Sequence, residues 1–81
     1  SLADKKFIFA MVKCGELPCT ISNIATNLHK PVKSISPTRA QLINKGLVYA
    51  ARYGELDFTV PEFTGFIQRQ EDYTKWCSTE A

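Results

Sequence analysis

The central part of this sequence contains no acidic residue. No Asp or Glu occurs between Glu16 and Glu55, whereas residues 17–54 contain five basic residues: Lys30, Lys33, Arg39, Lys45 and Arg52. The rest of the chain carries five basic and eight acidic residues. Such a block of one charge sign favours a surface that faces an anion, although chance segregation on a solvated surface would give the same pattern.

Residues that build metal sites, disulfides or catalytic sets are also scarce. The three cysteines are an odd number without a CxxC motif, and the single histidine, His29, has no Cys or His partner at zinc-finger spacing. We therefore expect reduced thiols, no metal and no cofactor. One histidine and an acid-free centre leave no Ser-His-Asp or Cys-His arrangement, so we do not expect an enzyme. His29 is expected to end a helix, where the helix dipole favours it.

Long apolar runs are absent. The longest, FIFAMV at residues 7–12, is far shorter than the roughly 20 residues that span a bilayer, and no basic segment precedes it as in a signal peptide. We expect a soluble cytoplasmic protein with no membrane partner. The 81 residues suffice for one domain. The sequence begins with Ser1 rather than Met, and a helical segment follows within about one turn. We therefore expect residues 1–81 to be one domain of a longer chain.

Apolar spacing and helix-capping residues predict three helices in the first half. Residues 2–14 form one mostly buried helix that ends at Gly15. ELPCT allows a short edge strand, and a second helix starts at Ile21 after the cap Thr20 and is ended by Pro31. A third helix starts within SISP, capped by Ser34 or Ser36 with Pro37 in its first turn, and stops at Gly46.

The second half predicts a hairpin and a last helix. Residues 47–51 and 56–60 are rich in β-branched and aromatic residues and are separated by RYGE. Leu56, Phe58 and Val60 alternate with polar residues, so they are expected to pack on the helices. Pro61 then opens a single helix whose apolar stripe runs from Phe63 towards Trp76.

This order of elements predicts an α+β winged helix-turn-helix. The predicted order is helix, short strand, helix, helix, two-stranded wing and C-terminal helix. Such a domain can place the second helix of its helix-turn-helix in the major groove of DNA and rest the hairpin on the neighbouring backbone. Gly46 permits the abrupt reversal from helix three into the wing.

The segment SISPTRAQLINKGLVYAARYGELDFTVPEF, residues 34–63, resembles the C-terminal winged-helix domain of prokaryotic AAA-type ATPases related to archaeal replication initiators. The similarity lies in the Ser-Pro-x-Arg start at 36–39, the Lys-Gly-Leu-Val-Tyr junction at 45–49 and the strand at 54–61. The resemblance implies a parent chain with an ATPase domain and ATP-binding site elsewhere. No GxxxxGK[ST] motif occurs in these residues, so no nucleotide chemistry is assigned to them.

Seven residues are predicted to contact DNA. On helix three, Gln41 and Asn44 can read adenine, and Lys45 can meet guanine or a phosphate. A phosphate can also be bound near the start of that helix and at the wing tip. The full set of candidates is Lys33, Ser34, Gln41, Asn44, Lys45, Arg52 and Tyr53. Arg39 falls among apolar positions, which favours a structural role with its stem packed and its guanidinium paired with an acid such as Glu16, Glu55 or Asp57. A DNA contact of Arg39 remains the alternative.

Two functions remain open from the sequence. The first is a DNA-binding module of an AAA-type ATPase, with duplex DNA and the parent ATPase domain as partners. The second is a protein-interaction or regulatory module in which the same fold packs on its own ATPase domain or on another protein. Two features favour the second function. The wing strand carries Glu55 and Asp57, which would repel DNA and make the wing a weaker DNA contact than helix three, and the apolar C-terminal helix with Tyr73 and Trp76 could form an interface. An open, carboxylate-free face at residues 33–45 favours the first function.

Overall fold

The computed structural model describes residues 1–80 and confirms the α+β class, with five helices and a three-stranded antiparallel sheet. The elements in chain order are α1 (Leu2–Lys13), β1 (Cys19–Thr20), α2 (Ile21–Leu28), α3 (Val32–Asn44), β2 (Val48–Arg52), β3 (Glu55–Phe58), α4 (Phe63–Gln68) and α5 (Glu71–Thr79). Among residues 1–80, no helix is long and apolar enough to cross a membrane.

The first helix, α1, is the centre of the core, as its apolar composition predicts. Phe7, Ala10 and Met11 are at most 1% exposed, and α1 contacts all four other helices. Ser1 caps its start, since the Ser1 hydroxyl accepts a hydrogen bond from the amide of Asp4 at 3.2 Å. Because α1 is surrounded by the other elements, it organises the fold and offers little surface for binding.

The second helix, α2, begins where the sequence predicts but ends for a different reason. The Thr20 hydroxyl accepts from the amide of Asn23 at 3.1 Å, which confirms the N-cap. The helix then stops at His29, which adopts a left-handed conformation with φ 57°, while the amide of Lys30 donates to Ala25 O at 3.1 Å. This is a left-handed helix C-cap, so the prediction that Pro31 ends the helix is wrong.

The predicted start of α3 is also wrong, because the helix begins earlier, at Val32. Pro31 is its N-cap residue in extended conformation, and Pro37 lies inside the helix rather than in its first turn. Because the helix starts early, Ile35 lies on the same side as Leu42, two turns further on, and both pack in the core. Ile35 is 4% exposed and Leu42 is 0% exposed. The free energy of burying Ile35 favours helical geometry despite the proline at position 37.

The end of α3 follows the prediction. Gly46 has φ 76°, which a side chain would disfavour. Its amide donates to Ile43 O at 3.0 Å, and the amide of Leu47 donates to Leu42 O at 3.1 Å. These two bonds close the last turn as a Schellman motif, and the chain passes directly into β2.

The sheet has the strand order β1-β3-β2, so β3 is central and the hairpin formed by β2 and β3 extends beyond the two-residue strand β1. Cys19 pairs with Leu56, and Val48 pairs with Phe58. A register irregularity lies between Ala50 and Arg52. The expected apolar face is correct for Leu56 and Phe58 but wrong for Val60, which lies beyond β3 and is 53% exposed.

The predicted single C-terminal helix is two helices. The chain becomes extended at Gln70, with ψ 135°, and α5 restarts with Glu71 and Asp72 in its first turn, where the helix dipole favours acidic residues. The two helices pack in different places. The ring centroid of Phe63 in α4 lies 5.1 Å from that of Phe58, whereas the ring centroid of Trp76 in α5 lies 5.8 Å from that of Phe9 in α1. The break lets Trp76 be buried against α1 while Phe63 is partly buried against β3.

Ion pairs also attach α5 to α1. Lys5 pairs with Asp72, and Lys6 Nζ lies 2.9 Å from Glu80 Oε1. Both pairs are partly exposed, so each contributes little on its own to the free energy of unfolding. The aromatic packing of Tyr73 and Trp76 on Phe9 is the larger attachment.

Candidate nucleic-acid interface

The outward side of α3 is an exposed polar face. Lys33, Gln41 and Asn44 are all exposed, since Ile35 and Leu42 occupy the opposite side of the helix and pack in the core. Pro37 and Ala40 are small and exposed between them, so the face is flat. Within residues 1–80, Lys33 makes no ion pair. The face therefore presents free amide and ammonium groups to solvent.

Ser34 lies on one flank of α3 rather than on this face. Its hydroxyl donates to Pro31 O at 3.0 Å. Its side chain borders a cavity of about 170 Å³ between α1, α2, α3 and α5, which His29 and Lys30 also line. Ser34 is exposed and lies one helical position from Lys33, so it borders both the cavity and the outward side of α3.

Lys45 has a protein partner that the sequence did not predict. Its Nζ lies 2.6 Å from Oδ2 of Asp4, whose side chain is 8% exposed. The hydrogen bond from Lys45 lowers the pKa of Asp4 below its ordinary value. The charge of Lys45 is thus largely neutralised by a carboxylate on α1, which makes it the weakest of the lysine candidates for a DNA contact.

The turn of the β2–β3 hairpin, which the sequence predicts as the wing tip, carries the other two predicted residues. Tyr53 and Gly54 form the turn between β2 and β3, and Gly54 has φ 74°. Tyr53 has a relative exposure of 104%, so its ring touches nothing around it. Arg52 is exposed and forms no ion pair with any residue from 1 to 80. Both side chains are free to contact a ligand.

The acidic residues of the wing strand were expected to repel DNA. Asp57 accepts a hydrogen bond from the amide of Phe58 at 2.7 Å, so its carboxylate lies along its own backbone. Glu55 pairs across the hairpin with Arg52 and, on its other side, with Thr20 of β1. Both residues are half-buried.

The predicted ion pair of Arg39 is wrong. In the part of the chain that the structure describes, Arg39 pairs with none of Glu16, Glu55 and Asp57. It is half-buried and lies in an open groove of about 770 Å³ between α3 and the wing. We name this the wing groove; its lining residues are Ile21, Val32, Ser36, Arg39, Ala50, Arg52, Tyr53 and Gly54.

Sequence reasoning favoured a structural role for Arg39 over a DNA contact because the helical wheel places it beside apolar positions. The structure shows why the wheel misleads: the apolar neighbours on that flank, such as Val32, line an open groove instead of the core. The turn of the hairpin back towards α3 creates this groove, and no local pattern in α3 indicates it. The structure thus brings Arg39 and Arg52, which are thirteen positions apart in the chain, to one site.

The geometry offers no arrangement for metal binding within residues 1–80, where no three His, Cys, Asp or Glu side chains are grouped. The three cysteines are free. Burial raises the pKa of the Cys14 and Cys19 thiols, so both stay protonated at neutral pH. A buried neutral thiol is a poor nucleophile, and the cysteines are better described as packing residues.

The chain belongs to the family described as Domain of unknown function (DUF8462), whose model matches residues 1–67. The match covers α1 to α3, the whole sheet and most of α4; α5 lies beyond it. Comparisons with curated proteins and with solved structures found no match. The candidate interface formed by α3, the wing and the groove between them lies entirely within the matched residues.

Proposed function

We propose that the chain is a winged-helix module that binds duplex DNA. In this proposal α2 and α3 are the helix-turn-helix, α3 is the recognition helix, and β2 and β3 form the wing. The parent chain is an AAA-type ATPase, as the resemblance of residues 34–63 implies, and its ATPase domain is a second partner.

The observation that carries the proposal is the charge distribution around α3. The exposed face with Lys33, Gln41 and Asn44 continues across one flank into the wing groove, where Arg39 and Arg52 have no acidic partner among residues 1–80. The lining of that groove includes no carboxylate. A continuous cationic strip along a helix and a hairpin complements a phosphate backbone.

The side chains divide into two roles. The amides of Gln41 and Asn44 can donate and accept on the edge of adenine, and both lie on the flat side of α3, which a major groove is wide enough to admit. The phosphate contacts are made by Lys33, Arg39 and Arg52. Such contacts fix the position of the helix on DNA but do not distinguish one base sequence from another. Lys45 is a lesser contact, because it already binds Asp4.

The salt dependence of binding tests this proposal. Fluorescence anisotropy with a labelled mixed-sequence duplex should show weak affinity that falls steeply between low and moderate salt. Lys33→Ala and Arg52→Ala should each weaken binding and reduce the slope of log affinity against log salt by about one. Lys75→Ala, which removes an exposed cation on α5, is the matched control and should change neither quantity. Equal effects from all three variants would contradict the proposed interface.

A protein-interaction module is the second candidate, favoured by one observation on α4. Phe66 is 49% exposed although its ring stacks on Phe63 at 5.9 Å. Trp76, which the sequence also offered as an interface residue, is 5% exposed and packs on Phe9, so the support rests on Phe66 alone. Phe66→Ser should leave duplex binding unchanged under the DNA proposal and should abolish association with the parent ATPase domain under the second.

A further inference from the structure

The wing groove has two kinds of wall. Arg39 from α3 and Arg52 from β2 supply guanidinium groups, whereas Ile21, Val32 and Ala50 supply apolar surface. The groove is open to solvent and has a volume of about 770 Å³. Its shape and lining suit a ligand that carries both an anionic group and a flat apolar face.

The anionic part of such a ligand follows from the arginines. Neither guanidinium is neutralised by a carboxylate of residues 1–80, and the acidic neighbours Glu55 and Asp57 do not line the groove. Arginine binds phosphate through two parallel hydrogen bonds, which makes it the preferred side chain for this anion. Since Arg39 and Arg52 both line the groove, a phosphate there can be bound by guanidinium groups from two elements.

The apolar part follows from Tyr53. Its ring is fully exposed at the tip of a short hairpin turn and lines the groove, as does the exposed residue Val32. Exposed aromatic rings beside a cationic groove are the platforms on which unpaired bases stack. Within a continuous duplex, base faces are covered by neighbouring base pairs, so they cannot reach such a ring.

We propose that the wing groove binds the first unpaired nucleotide at a junction between duplex and single-stranded DNA. Arg39 and Arg52 hold its phosphate, Tyr53 stacks on its base, and α3 lies on the adjacent duplex. This inference rests on the proposed function, since α3 must hold the duplex part. It narrows the substrate class from duplex DNA in general to duplexes with a single-stranded extension.

The test compares a blunt duplex with the same duplex carrying a short single-stranded extension. The extension starts with 2-aminopurine, whose fluorescence is quenched when it stacks on an aromatic ring. We expect the extended duplex to bind about tenfold more tightly, as expected for stacking of one base, with quenching of the probe. Extensions at either strand end identify which polarity the groove accepts.

Variants with matched controls locate the nucleotide. Tyr53→Ala should remove the quenching and most of the tenfold preference, whereas Tyr49→Ala, at a 45% exposed tyrosine in the middle of β2, should retain both. Arg39→Gln and Arg52→Gln should each reduce the preference, whereas Arg69→Gln, at an exposed arginine after α4, should not. Tyr53 and Arg52 are exposed, so their variants test the site even if Arg39→Gln fails to fold.

The possible failures are distinguishable. Equal affinity for blunt and extended duplexes would overturn this inference and leave the proposed duplex binding intact. A preference that survives Tyr53→Ala, or that Tyr49→Ala removes equally, would also overturn it, because the base would then stack elsewhere. No binding to either substrate at low salt would overturn both proposals.

Discussion

Nζ of Lys45 lies 2.6 Å from Oδ2 of Asp4, and this contact joins the end of α3 to the first turn of α1. The Asp4 carboxylate is buried, and its other oxygen, Oδ1, has no hydrogen-bond partner within residues 1–80. Lys45 is therefore the main compensation for a buried charge. The pair ties the end of α3 to α1, while Ile35 and Leu42 in the core set which side of α3 faces outward.

Removing Lys45 should destabilise the fold in a pH-dependent way. Lys45→Met leaves the Asp4 carboxylate buried without its partner, so the variant should have a lower free energy of unfolding at pH 7. The pKa of Asp4 is lowered from 3.8 in the native protein. The contribution of the pair is therefore fully present above about pH 4 and is lost as pH falls through the native pKa.

Urea unfolding at pH 7, 5, 3 and 2 measures this effect. The difference between native protein and Lys45→Met should be constant from pH 7 to 5 and should shrink at pH 3 and below. Asp72→Asn, which breaks the exposed pair with Lys5, is the control and should cost little at any pH. A difference that stays constant down to pH 2 would show that Lys45 acts through packing of its stem instead.

The Asp4–Lys45 pair also shows where sequence reasoning ends. The two residues are 41 positions apart, so no local spacing links them. Local signals, in contrast, were reliable: the Thr20 cap, the Gly46 stop and the hairpin after it all follow from backbone chemistry within a few residues. The predictions failed where a tertiary contact outweighed a local preference. Because Ile35 is buried, α3 begins at Val32, before Pro37. The predicted C-terminal helix is two helices because α4 and α5 pack on different parts of the fold.

The candidate site was predictable only in part. The exposed positions of Lys33, Gln41 and Asn44 follow from helical periodicity, because the apolar residues of α3 lie on the opposite side. The wing groove could not be predicted, since it depends on how far the hairpin turns towards α3. Arg39 was therefore assigned to an ion pair that is wrong.

Gly46 should be intolerant of a side chain. Its φ of 76° is in the left-handed region, so Gly46→Ala should lower the free energy of unfolding by about 1–2 kcal/mol through backbone strain alone, as open space surrounds the position. Gly65→Ala is the matched comparison inside α4, where alanine favours the helix and meets only the flexible end of Arg69 at 3.2 Å. Chemical denaturation should show a loss for the first variant and none for the second.

Leu42 should be the most sensitive position on α3. It is 0% exposed, so Leu42→Ala should cost about 2–5 kcal/mol through lost burial and the cavity that remains. Leu2→Ala removes the same atoms from a residue that is 66% exposed and should cost far less. Similar losses in thermal or urea unfolding would mean that α3 does not pack on the core through this residue.

Tyr73 should limit stability at alkaline pH. Burial raises its pKa to about 12, from an ordinary value of 10.0. Because the folded state holds the proton more tightly, this contribution is present below pH 10 and is lost as pH rises towards 12. Tyr73→Phe should therefore lose less stability than the native protein between pH 9 and 12, with Tyr49→Phe as the exposed control. Parallel pH profiles for all three proteins would contradict the assignment.

The most direct test of DNA binding is to map the interface on the protein itself. Isotope-labelled protein would be titrated with a short mixed-sequence duplex at low and moderate salt while backbone amide shifts are recorded. We expect salt-sensitive shifts concentrated on α3 from Lys33 to Asn44 and on the β2–β3 turn at residues 52–54, with α5 unchanged. An absence of shifts with excess duplex at low salt, or shifts confined to α4 and α5, would contradict this expectation.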